Sequence, residues 1–97
     1  MMSETNRIIQ CRISKPLPID RLRQKLSVQL WFNGMPDALH FTQGSTELSF
    51  GISYRNCDLG SVKQTVQMIC DMTDIELARE QGHWNANYPP VQIEWTR

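Results

Sequence analysis

The chain has 97 residues, 40% of them hydrophobic and 21% charged, with ten basic residues against ten acidic ones. That length and mixture fit one domain over residues 1–97, with 1–6 expected as a flexible tail, and exclude a disordered or collagenous chain. Zero net charge leaves no global field to draw the protein onto nucleic acid or an anionic membrane.

Arg7 to Ser14 alternates, with Ile9, Cys11 and Ile13 on one side and Gln10, Arg12 and Ser14 on the other, the period of a half-buried strand. Lys15-Pro16-Leu17-Pro18 ends it, because Pro16 and Pro18 lack an N–H and keep their predecessors extended. From Ile19 the apolar spacing becomes Ile19, Leu22, Leu26 and Leu30, one stripe of a helix, with Arg21, Arg23, Lys25 and Gln29 mostly on its outer side. Gly34 and Pro36 are stop signals. A competing reading takes Val28, Leu30 and Phe32 as a strand and Asn33-Gly34 as a hairpin turn, so residues 27–34 stay open, with the helix preferred.

Ala38 to Tyr54 reads as a hairpin. With Gly44 and Ser45 at the centre of a two-residue turn, Thr42 faces Glu47, Phe41 faces Leu48, His40 faces Ser49 and Leu39 faces Phe50. A second helix starts near Ser61, capped by its hydroxyl while Gln64 reaches back, and buries Val62, Val66, Ile69 and Cys70. Thr73 and Glu76 repeat the capping pattern, so Asp74 to Gln81 either continues this helix or forms a short separate one, with Ile75, Leu77 and Ala78 inward. Gly82 ends it. Residues 83–90, HWNANYPP, form a loop, and Val91, Ile93 and Trp95 alternate with Gln92, Glu94 and Thr96 in a last strand.

The order β-α-β-β-α-β resembles the ferredoxin-like arrangement. That resemblance implies an α+β, two-layer α/β sandwich with an antiparallel sheet and both helices on one face, and leaves the strand order open. The other face then carries Gln10, Arg12, Ser14, His40, Thr42, Ser49, Gly51, Ser53, Gln92, Glu94 and Thr96. It is polar and lacks the exposed aromatics on which RNA-binding sheets stack bases.

Charge is uneven along the chain. Residues 1–34 hold six basic residues against Glu4 and Asp20, and the remainder holds eight acids against four bases, so the two parts are +4 and −4 and should attract. Three cysteines without a CxxC spacing argue against a disulfide framework or a zinc site and for a reducing, cytoplasmic setting. Met1 to Arg7 lacks the apolar core of a signal peptide, and no apolar run approaches the roughly 18 residues that span a bilayer.

No P-loop, GxGxxG, HExxH, GxSxG or EF-hand loop is present, so no catalytic residue, metal ligand or cofactor is assigned. His40 reads as a solvent-side strand residue. Cys57 precedes a helix N-terminus with Arg55 two residues away, yet no general base accompanies it, while Cys11 and Cys70 read as small core residues. Trp84 and Tyr88 beside Asn85 and Asn87 offer stacking area and hydrogen bonds, or fold back as a lid over the core. The preferred reading is a non-enzymatic protein-interaction module, a homodimer joined through the sheet face or an edge strand, or a module for another protein. The alternative is a small-molecule binder or small enzyme with a pocket at the end of the sheet, involving His40, Cys57, Trp84 and Tyr88. A weaker one is RNA binding through Arg12 and the basic helix. Contact candidates are thus Arg12, His40, Cys57, Trp84, Asn85, Asn87 and Tyr88.

Overall fold

Alternating apolar residues up to Ile13, then two prolines, dictate a strand followed by a break. The computed structural model, which describes residues 7–96, places β1 at Arg7–Ile13 and α1 at Ile19–Phe32. The expected tail, 1–6, lies outside the described residues. Pro18 starts α1 with extended backbone, and its carbonyl accepts from Leu22 N at 3.1 Å. The strand reading of 27–34 fails because period two would bury Val28 and Phe32 with Leu30. Instead Leu22, Leu26 and Leu30 are buried while Val28 and Phe32 are exposed. Gly34, at φ 72°, closes the helix: Gly34 N donates to Trp31 O at 3.1 Å and Met35 N to Leu30 O at 2.9 Å, the double bond of a Schellman cap.

Strands β2 (Leu39–Phe41) and β3 (Ser49–Tyr54) follow, then α2 (Leu59–Glu80) and β4 (Ile93–Thr96). The N-cap of α2 is Asp58, three residues before Ser61. Its carboxylate accepts from Ser61 N at 2.8 Å and from the Ser61 hydroxyl at 3.0 Å, so Ser61 is the donor in the cap and not the capping residue. The helix runs on through Thr73, whose hydroxyl donates to Ile69 O at 2.8 Å and caps nothing. Gly82, at φ 73°, ends α2 with a second Schellman cap, His83 N reaching Ala78 O at 2.7 Å.

The sheet is antiparallel throughout, in the order β2-β3-β1-β4. Ile9, Cys11 and Ile13 join Phe41, Phe50, Ile52 and Tyr54 on one face, where Leu22, Leu26 and Leu30 of α1 and Val62, Val66, Ile69 and Cys70 of α2 complete one core. The other face is open. It carries the expected polar residues and also Ile8, 55% exposed, which the sequence reading omitted.

The hairpin register differs from expectation by four residues. Leu39 pairs with Tyr54, His40 with Ser53 and Phe41 with Ile52. Residues 47 and 48 are used elsewhere: their carbonyls accept from Leu17 N at 3.0 Å and Ile13 N at 2.9 Å, and Thr46 N donates to Ser49 O at 2.8 Å in a turn. A shift of four is even, so each side chain keeps its face. The last strand is shorter than 91–96, because Val91 is bonded to α2: its N–H donates to Asp71 Oδ1 at 2.8 Å and its carbonyl accepts from Gln67 Nε2 at 2.8 Å.

Among the described residues, four ion pairs join the basic early segment to acidic α2. Lys15 meets Asp74 at 3.1 Å, Arg21 meets Glu76 at 3.0 Å and Glu80 at 2.8 Å, and Lys25 meets Glu76 at 2.6 Å. The start of α1 therefore lies beside the end of α2, and the two helices run antiparallel.

Candidate functional site

The contact candidates scatter over the fold. Cys57 precedes α2, and the 83–90 loop follows it. A helix of 22 residues separates them, about 33 Å at 1.5 Å per residue. The pocket expected from His40, Cys57, Trp84 and Tyr88 together is thus not assembled. The β-α-β-β-α-β path sends the α1–β2 and β3–α2 connections to one end of the sheet and the β1–α1, β2–β3 and α2–β4 connections to the other.

At the first end, Asn56 adopts φ 57° and turns the chain so that Cys57 Sγ lies 3.3 Å from Arg55 O and 3.8 Å from Ala38 O. The thiol is half-buried against the core. His40 is exposed on the open face opposite Ser53, and both line a hollow of about 310 Å³ with Asp37 and Arg55. Arg12, also on the open face, is the cross-strand neighbour of Glu94.

At the second end lies a cluster the sequence reading did not assemble. Asp74 is 5% exposed, and the Tyr88 hydroxyl donates to its Oδ1 at 3.1 Å. Lys15 Nζ donates to Asp74 Oδ2 at 3.1 Å and to the Tyr88 oxygen at 2.9 Å. These hydrogen bonds, the one to Tyr88 foremost, hold the Lys15 ammonium above the ordinary lysine range. Every buried side-chain polar atom among the described residues has a partner, so the cluster is a satisfied latch joining the β1–α1 turn, α2 and the 83–90 loop. Its signal was weak: Asp74 occupies an inward helix position where an apolar residue is ordinary.

The rest of the loop is shaped locally. Asn85 Oδ1 accepts from Asn87 N at 2.9 Å and Asn85 O from Tyr88 N at 3.0 Å, while Asn87 is exposed. Trp84 remains 40% exposed with the Arg79 guanidinium 4.5 Å from its ring centroid. Tyr88 does fold back, as the lid reading expected; Trp84 stays outside.

Among the described residues, the most exposed large apolar side chains are on the helix layer. Trp31 is 70% and Phe32 75% exposed, with ring centroids 5.7 Å apart in an edge-to-face pair. Val28, one turn earlier, shares a groove of about 530 Å³ with Met72 of α2, and Met68, one turn before Met72, is also exposed. A signal was present: Val28, Trp31 and Phe32 fall off the 19/22/26/30 stripe, so a helix must turn them outward.

Among the described residues, no group of three or more His, Cys, Asp or Glu side chains could hold a metal ion, and no helix is long and apolar enough to cross a membrane. No family model, curated protein or solved structure matches the chain.

Proposed function

We propose that this protein is a non-enzymatic interaction module that forms a homodimer through the outer face of its helix layer. The exposure of Trp31 and Phe32 carries the reading. Each is an aromatic of the kind enriched at interface centres, and exposed Val28 and Met72 line a groove on the same helix layer whose other lining groups are polar or paired charges. A second copy fits this surface electrostatically. The flanking Arg21 and Lys25 are already neutralised by Glu76 and Glu80, and a chain of zero net charge meets itself without long-range repulsion.

The open sheet face is the poorer dimer surface, because its polar side chains offer little apolar area beyond Ile8. The same lack of aromatics weighs against RNA. The β2-β3-β1-β4 order supports reading the scaffold as ferredoxin-like, and three unpaired thiols support a reducing, cytoplasmic setting.

The test is sedimentation velocity across a hundredfold concentration range. The wild-type chain should sediment as a dimer, and Trp31→Glu combined with Phe32→Glu should sediment as a monomer with an unchanged circular dichroism spectrum. A wild-type monomer at every concentration overturns the reading.

A further inference from the structure

The β2 edge of the sheet offers a second surface, distinct from the groove between the helices. Strand β2 is one of the two edge strands, β4 being the other. Arg55 N donates to Ala38 O and Thr42 N to Gly51 O, both at 2.9 Å. Antiparallel geometry alternates, so residues 38, 40 and 42 aim their backbone groups at β3, while Leu39 and Phe41 aim theirs outward.

Beside that edge α1 overhangs the sheet and leaves a groove of about 320 Å³, whose apolar lining includes Leu26, Leu30, Pro36 and Phe41. The charged group at its rim is Arg23, exposed, with Nη2 3.4 Å from Thr42 O at the end of β2. No acid lines the groove. Unpaired backbone, an apolar slot alongside and one cation above are the three elements that strand addition uses for affinity, side-chain selection and register.

We infer that the β2 edge and this groove bind an extended segment of a partner protein, which places an aliphatic side chain in the slot and a carboxylate at Arg23. A second copy of this chain is the poorer occupant. Two-fold pairing of β2 with β2 about His40 would stack that exposed ring on its own mate, across a strand only three residues long.

Selection of a random twelve-residue phage-displayed peptide library on the full chain tests this. Enriched peptides should combine an aliphatic residue with Asp or Glu, and a synthetic one should shift the Leu39 and Phe41 amide resonances. Arg23→Glu should weaken it at least tenfold, with a Lys-substituted peptide recovering binding to that variant. Absence of enrichment, or shifts confined to Trp31 and Phe32, overturns the inference. Peptide-free, concentration-dependent shifts at Leu39 and Phe41 also overturn it, by making a second copy the occupant.

Discussion

The phenol of Tyr88 reaches back across 14 residues of sequence to the buried carboxylate of Asp74, donating a hydrogen bond of 3.1 Å. That bond, with Lys15 closing the triangle, anchors an otherwise exposed loop to the end of α2. Tyr88→Phe removes one donor to a buried acceptor and should cost about 1–2 kcal/mol, and Asp74→Ala, which strands both partners, about 1–3 kcal/mol. Urea denaturation gives both values. Hydrogen exchange should quicken first in residues 83–90 of Tyr88→Phe.

The latch also sets a pH dependence. Because the folded pKa of Lys15 stands above its ordinary value, its contribution is complete below the unfolded lysine pKa, near ~10.4, and is lost as pH climbs through the folded value. Thermal midpoints measured from pH 8 to 11.5 should fall more gently in Lys15→Met than in wild type. Equal slopes would show that the ammonium contributes nothing.

Gly51 is fixed by its neighbours on the open face. A Cβ there would stand 2.6 Å from Thr42 Oγ1 and 3.2 Å from Gln10 Nε2. Gly51→Ala should destabilise the fold by about 1–3 kcal/mol, as overpacking does. Thr42→Ala should return most of that loss in a double-mutant cycle, whereas additive effects would exclude the contact.

The three thiols should separate by reactivity. Burial pushes Cys11 and Cys70 up to about 12, so neither offers thiolate near neutrality, while Cys57 is half-buried at the surface. At pH 8 a disulfide reagent should titrate one thiol quickly in the native protein and all three in denaturant. Cys57→Ser should abolish the fast phase alone.

Most of the architecture was legible because each element carries its own period. The shift of apolar spacing at Ile19 marked α1, and the alternation around Ile9, Cys11 and Ile13 marked β1. The hairpin register was not legible, because pairing Phe41 with Leu48 is the best local match. Backbone bonds from Ile13 and Leu17 to residues 48 and 47 set the register instead, and these come from the end of β1 and the turn after it, thirty or more residues earlier. The Asp74 latch was hidden for the same reason: Lys15 stands 59 residues before its partner. The exposed aromatics of α1 were within reach. Once the helix is accepted, its geometry leaves Trp31 and Phe32 no place in the core.

The central position of β1 carries a consequence for how the protein is made. Its neighbours are β3 and β4, so β1 gains its second partner only when residues 93–96 have emerged. Until then Gln10 to Ile13 lie on an open edge, and the ion pairs from Lys15, Arg21 and Lys25 to α2 wait on segments 51 or more residues downstream. Completion of the sheet is therefore postponed until residues 93–96 are made, and the nascent chain depends in that interval on whatever shields an unpaired strand from its neighbours on the polysome.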